Sequence, residues 1–223
     1  MELIPAIDLK NNKVVLPTGN SRYDYKEISN LLSPSSHPID FIEYLLSIYD
    51  FNTIYLADLD SIDNFNNKNN LISNILKKFI KNNFIIDNGV RKYSQIKLYN
   101  FTNYKQIIAT ETFEEYNLLI KNSFNNYILS LDYRNNNIIS KNKDYKLLNP
   151  KKVICMNIDS IGKNNGPNYL NINLTKKLYP SSKIVVSGGI RDNKDIKKIK
   201  KFNCSEVILL SSIIKKNIVY SDL

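Results

Sequence analysis

The chain has 223 residues, 43% hydrophobic and 23% charged, which suits one globular domain with a substantial core. No apolar run approaches the roughly 20 residues of a membrane span, and the opening MELIPAIDLK lacks the apolar stretch of a secretory leader, so a cytoplasmic protein without membrane contact is expected. The 2 cysteines, Cys155 and Cys204, sit in no CxxC or ligand-like cluster, which speaks against a disulfide framework. The net charge of +10 is carried by scattered lysines; the densest run, Lys194 to Lys201, has helical spacing around Ile196 and Ile199 and reads as a solvated helix face, not a nucleic-acid surface.

In chain order, a strand over Leu3–Ile7 precedes a helix over Pro38–Tyr49, and a strand over Thr53–Ala57 precedes a helix over Asn69–Ile80. Strand Phe84–Ile86 leads to helix Tyr93–Tyr99, and strand Gln106–Ala109 to helix Phe113–Lys121. Strand Tyr127–Leu131 is followed only by a short connection, because the stretch from Ile139 to Lys152 has no room for a full helix. Strand Lys152–Met156 then pairs with helix Tyr169–Leu178, strand Ile184–Val186 with helix Asn193–Lys201, and strand Glu206–Leu210 closes the series. Nearly continuous aliphatic strands alternating with amphipathic helices imply a parallel sheet covered on both faces.

The order also repeats. LIPAIDLKNNKVV resembles YILSLDYRNNNII, placing Asp8 on Asp132 and Lys10 on Arg134. ADLDSI resembles MNIDSI, DNGVR resembles SGGIR, and IIATE more loosely resembles ILLSS, all in the same order. Eight strands in two matching sets of four imply an α/β fold: a (β/α)8 TIM barrel built from half-barrels of about 1–122 and 123–223, with a reduced fifth βα unit. No linker divides the chain, so residues 1–223 are expected to form one domain.

In such a barrel chemistry sits at the carboxyl ends of the strands. Asp8 ends the first strand and Asp132 the fifth, so the two carboxylates face each other across the mouth, an arrangement suited to one general base and one general acid. VVSGGIRD ends a strand, supplies two glycines and starts a helix, which suits an anion; Ser187, Gly188, Gly189 and Ser211 are the expected phosphate ligands. The first-half counterpart offers Gly89 and Thr110, although Asp87 there would repel an anion. Lys10, Asp58, Arg134, Lys163 and Gly166 are expected around the substrate. Asp58, Asp60 and Asp159 read as orienting loops, not as holding a cation, and no metal is expected. The single histidine, His37, precedes Pro38 at a helix start and reads as structural.

IPAIDLKNNKVV, YLADLDSI, LSLDYRNN, IDSIGKNNGPN and VSGGIRDNKDIKKI resemble, in order and over almost the whole chain, the landmarks of the histidine-biosynthesis barrels: ProFAR isomerase and the cyclase subunit of imidazole glycerol phosphate synthase. The resemblance implies a barrel of the ribulose-phosphate-binding type and an Amadori rearrangement of a phosphorylated aminoaldose to an aminoketose, with Asp8 as base, Asp132 as acid and no cofactor. The implied partner is a small phosphorylated sugar-like substrate, and the implied state a monomer or small homo-oligomer. The chain departs from the isomerase pattern at DNGVR, where that family is glycine-rich, at Leu210 in place of a glycine, and at Lys163 near a threonine position. The stretch LPTGNSRYDYKEISNLLSPSSHP is more similar to an isomerase-related subgroup of one-carbon-metabolising microbes. A paralogue acting on another phosphorylated substrate, with one-carbon cofactor biosynthesis as a candidate pathway, and a non-catalytic barrel subunit are the alternative readings.

Overall fold

The computed structural model describes residues 1–18, 24–65, 70–96 and 99–222. Its strands are β1 (Glu2–Lys10), β2 (Lys13–Pro17), β3 (Tyr25–Glu27), β4 (Thr53–Asp58), β5 (Asn83–Asp87), β6 (Tyr104–Ala109), β7 (Tyr127–Arg134), β8 (Asn137–Ile138), β9 (Lys152–Asn157), β10 (Lys183–Ser187) and β11 (Glu206–Leu209). Its helices are α1 (Pro38–Ile48), α2 (Leu59–Asp63), α3 (Leu71–Lys78), α4 (Tyr116–Lys121), α5 (Tyr169–Leu178), α6 (Asn193–Lys201) and α7 (Ser211–Ile214). Strands β1, β4, β5, β6, β7, β9, β10 and β11 pair in parallel in that order, and β11 returns to β1. The fold is therefore a closed eight-stranded (β/α)8 barrel, and each of the eight strands read from the sequence is one of its staves.

The continuous apolar runs follow from burial on both faces. Ile4, Tyr55, Ile85, Ile107, Ile128, Ile154, Val185 and Ile208 fill the barrel interior. Their neighbours Ile7, Leu56, Ile86, Ile108, Leu129, Cys155, Val186 and Val207 pack outward beneath the helices. On α6, Ile196 and Ile199 are buried and the lysines lie in the water-facing remainder of the helix.

Two antiparallel hairpins decorate the barrel, β1–β2 and β7–β8. Both turn on an Asn-Asn pair with positive φ: 50° and 59° at Asn11 and Asn12, 49° and 60° at Asn135 and Asn136. Two successive left-handed residues are what the tightest hairpin turns require, and Asn tolerates that region. The N–H of Asn11 donates to Asp60 Oδ2 at 2.7 Å, and that of Asn135 to Asp159 Oδ2 at 2.5 Å. Each aspartate thus ties a hairpin to the turn after the neighbouring strand.

After β7 there is no helix, only β8 and a 3-10 turn over Asp144–Leu147. Aromatic rings fill that gap: Tyr145 is buried against Tyr116, and the Tyr179 hydroxyl donates to the Tyr145 carbonyl. The helix expected over Tyr93–Tyr99 is also not formed in the described residues; a 3-10 turn covers Tyr93–Gln95, and Lys97 and Leu98 lie outside the described residues. Gln95 Oε1 accepts from the N–H groups of Arg91 and Lys92 at 2.7 and 3.0 Å, and Ile96 is already extended at φ −70° and ψ 146°, which stops the turn from propagating. The β2–β3 ribbon was not read from the sequence. Among the described residues no helix is long and apolar enough to cross a membrane.

Buried Asn103 locks the α3 exit onto β6. Its Nδ2 lies 3.1 Å from the Leu76 carbonyl and 3.3 Å from those of Phe79 and Asn82. Asn103→Ala leaves these buried acceptors short of a donor and is expected to lower unfolding free energy by about 1–3 kcal/mol, measured by urea denaturation.

Candidate active site

Strand parity carries the acidic side chains to one place. Asp8, Asp87 and Asp132 lie at the carboxyl ends of β1, β5 and β7, and Glu111 stands in the turn just past β6. All four line a cavity of about 150 Å³ in the barrel mouth. No lysine, arginine or histidine among the described residues lines it, although the chain carries a net charge of +10. Met156, Ile158, Ile161 and Leu209 contribute apolar wall.

Asp132 is 3% exposed. Ser130 Oγ donates to its Oδ1 at 2.7 Å; Thr110 Oγ1 and the Glu111 N–H donate to its Oδ2 at 3.2 and 3.1 Å. Burial holds its carboxyl well above the usual range, with the charges of Glu111 and Asp87 adding and the Ser130 and Glu111 hydrogen bonds opposing. Asp8 is pushed up to about 7, first by burial, against a hydrogen bond from Tyr25, with Asp87 adding repulsion. The buried Tyr55 hydroxyl donates to Asp87 Oδ2 at 3.4 Å and is raised by burial and by the fields of Asp87, Asp8, Asp132 and Glu111. Tyr55 therefore stands within electrostatic reach of all four carboxylates. Sequence reading missed Tyr55, Glu111 and Tyr25 as site residues; the inward parity of Tyr55 beside Ala57, and Glu111 following a strand end, were the available signals.

The β2–β3 ribbon leans over the cavity through Leu16, Pro17 and Tyr25. It rests on the loop after β9: a Cβ added to Gly162 would come 2.6 Å from Pro17 Cγ. Tyr25 thereby holds its phenol on the Asp8 carboxylate. Tyr25→Phe removes a contact that lowers the Asp8 pKa, so the Asp8 titration is expected to move above about 7; carboxyl-carbon NMR titration reads the shift, and an unchanged or lower value would contradict the contact.

The two glycine turns differ. After β10, Ser187, Gly188 and Gly189 line the cavity together with Ser211 beyond β11. Gly188 and Gly189 have φ of 95° and 81°, and a Cβ at Gly189 would lie 2.2 Å from the Gly166 carbonyl oxygen, so glycine is required there. The first N–H groups of α6 are already engaged, since those of Lys194 and Asp195 donate to Asp192 Oδ1 and that of Arg191 to Asp195. Any anion would rest on the glycine turn, not on the helix end. After β5, the Gly89 N–H instead donates to Asp87 Oδ1 at 3.2 Å. Gly89 is pressed against α2, and the Arg91 guanidinium donates to the carbonyls of Gly89, Ser61, Ile62 and Asp63.

Of the remaining residues singled out in the sequence, Thr110 is fully buried with its hydroxyl on Asp132, and Asp58 caps α2 by accepting from the Ser61 N–H and hydroxyl. Lys10, Arg134, Lys163 and Gly166 lie off the cavity wall; Gly166 packs instead against Arg191 and Gly189. The structure thus gathers Asp8, Asp132, Ser187, Gly188, Gly189 and Ser211 and leaves Gly89, Thr110, Lys10, Asp58, Arg134, Lys163 and Gly166 outside that wall. Among the described residues no group of three or more His, Cys, Asp or Glu side chains is placed to share a metal ion.

The chain is thus a closed (β/α)8 barrel with carboxylates and a glycine turn at its mouth. The chain belongs to the family described as "Histidine biosynthesis protein", whose profile matches residues 2–219. An uncharacterized protein of Methanocaldococcus jannaschii is 28% identical over 228 residues, covering 96% of this chain and 94% of its own length. The 1-(5-phosphoribosyl)-5-((5-phosphoribosylamino)methylideneamino)imidazole-4-carboxamide isomerase of Buchnera aphidicola subsp. Cinara cedri is 26% identical over 243 residues, covering 98% of this chain and 96% of its own. The isomerase of the same name from Lactococcus lactis subsp. cremoris MG1363 is 26% identical over 219 residues, covering 89% and 85%.

Proposed function

We propose that this chain is an aldose–ketose isomerase of the ProFAR type, carrying out an Amadori rearrangement of a phosphorylated aminoaldose. Asp132 protonates the ring oxygen and opens the aminoaldose to an iminium. Asp8 removes the C2 proton to give the enaminol; Asp8 then returns a proton to C1 while the enol hydroxyl gives its proton back to Asp132, leaving the aminoketose and both carboxyls as they began. C1 is reduced as C2 is oxidised, so the step is internally balanced. The phosphate sits on Ser187, Gly188, Gly189 and Ser211.

The observation that carries this reading is the pair of raised carboxyls on one cavity wall. Burial raises both carboxyls, Asp132 well above the usual carboxylate range and Asp8 to about 7, which favours the protonated form at Asp132 and leaves Asp8 part-ionised at neutral pH. Two groups whose environments set them apart in this way suit an acid and a base. The family membership and the isomerase names of the relatives point the same way. The matched Asn-Asn hairpins and their Asp60 and Asp159 anchors further support an origin in two half-barrels, about 1–122 and 123–223.

Purified protein is assayed for aminoketose formation from the two-phosphate substrate named for the relatives and from N-substituted ribosylamine 5-phosphates. Turnover of either, lost in Asp8→Asn and Asp132→Asn, is the expected result. Folded protein that turns over neither substrate would contradict the proposal.

A further inference from the structure

Just beyond the glycines of the β10 turn stands a cation, Arg191, that does not line the cavity. Its side chain is engaged by Asp195 in the first turn of α6. Nε lies 2.8 Å from Asp195 Oδ2 and Nη2 lies 2.8 Å from Oδ1, and the Arg191 N–H donates to Oδ2 at 3.0 Å. Asp195 is 1% exposed, so a buried carboxylate fixes the guanidinium at two points. Against that guanidinium rests the loop after β9: a Cβ added to Gly166 would come 3.2 Å from Arg191 Cζ and Nη2. Gly166 sits in turn on the glycine turn, where its N–H donates to the Gly189 carbonyl at 3.0 Å. A peptide group is planar and trans, so the N–H across that carbonyl, that of Ile190, points away from Gly166. Gly166 is off the cavity wall and Ile190 is on it. Ile190 is buried, and among the described residues nothing accepts its N–H. A main-chain N–H so aimed is what an anion-binding turn supplies.

The first half-barrel repeats the device. Arg91 stands in DNGVR where Arg191 stands in SGGIR, and its own N–H donates to the side chain four residues on, Gln95 Oε1, at 2.7 Å. Its Nη1 donates to the Gly89 carbonyl, also at 2.7 Å. In both halves the carbonyl of the matching glycine is held from off the cavity wall, by the arginine itself in one and through Gly166 in the other. The geometry points to Arg191 as a positioning residue: anchored by Asp195, it seats Gly166 on the Gly189 carbonyl and so turns the Ile190 N–H toward a bound phosphate. The inference rests on the proposed phosphate turn and adds to it a cation that acts through backbone, not through its charge.

Titration calorimetry with inorganic phosphate and with ribose 5-phosphate tests it, together with the Ile190 amide signal in nitrogen-labelled protein. Wild type is expected to bind both ligands, with that amide shifting on saturation. Arg191→Lys keeps the charge and loses the two-point grip and the flat face. It is expected to weaken both ligands about tenfold, the weight of one hydrogen bond to a charged group, with the Ile190 amide no longer responding. Asp195→Asn supplies the sign. It removes a negative charge beside the turn and frees the guanidinium, so an arginine acting by charge would bind phosphate more tightly. A brace that has lost its anchor binds phosphate more weakly, again about tenfold, and this is the expected result. Arg191 is half-exposed, so Arg191→Lys keeps the test open if Asp195→Asn does not fold. Unchanged or tighter binding in either folded variant would overturn the inference and leave the phosphate turn standing. Wild type that binds neither ligand would overturn the turn itself, and the inference with it.

Discussion

Asp8→Asn and Asp132→Asn are each expected to lower kcat for aminoketose formation by about 10²–10⁴-fold, the usual contribution of a placed proton donor or acceptor. The losses should not add in the double variant, because each step of the rearrangement depends on the other. Both positions act through an ionisable carboxyl, and asparagine keeps the shape while removing the proton chemistry. For Asp132 the surrounding partners make the test sharp: the Glu111 N–H can still meet the amide oxygen and the Ser130 hydroxyl can turn to accept from the amide nitrogen, so a rate loss is not a folding loss. Ser130→Ala, by contrast, removes a contact that favours ionised Asp132 and leaves the acid in place.

The same Asp8→Asn substitution is expected to stabilise the fold above neutral pH. The Asp8 carboxyl is raised from 3.8 to about 7 in the folded chain. The unfolded chain therefore releases this proton at lower pH than the folded one. The resulting penalty is absent below about 3.8, grows as pH rises toward 7, and is constant above it. At about 1.4 kcal/mol for each unit, discounted for water entering the cavity, removing the charge is expected to add about 2–4 kcal/mol at pH 8 and close to nothing at pH 4. Urea unfolding of both proteins at the two pH values measures it. A variant that is slower and more stable is the signature of a group kept for chemistry; equal destabilisation at both pH values would assign Asp8 a structural role.

Much of this architecture was legible because it is written in parity and order. Eight apolar runs in two matching sets of four, each followed by a turn and mostly by a helix, fit a parallel barrel better than a doubly wound open sheet, and the aspartates at the ends of the first and fifth strands arrive on the cavity wall because strand alternation points them inward. What was not legible depends on side chains meeting across the fold. DNGVR and SGGIR align as sequences, yet only the structure places the Asp87 carboxylate on the Gly89 N–H. Thr110 looked like a phosphate ligand by its place after a strand, and its hydroxyl is on Asp132 instead. Tyr55 reads as one more apolar strand residue until the closed barrel sets it among four carboxylates. Among the described residues the helix expected over 93–99 gives way to a 3-10 turn for a local reason, a glutamine side chain that satisfies two N–H groups.

The most direct test is the pH dependence of aminoketose formation from an N-substituted ribosylamine 5-phosphate, for the wild type and the two aspartate variants, from about pH 5 to about pH 9. The account predicts a bell whose rising limb, near pH 7, belongs to Asp8 and whose falling limb belongs to Asp132, with Asp8→Asn losing the first and Asp132→Asn the second. A profile that stays unchanged in both variants, or no turnover by folded protein that binds phosphate, would contradict it.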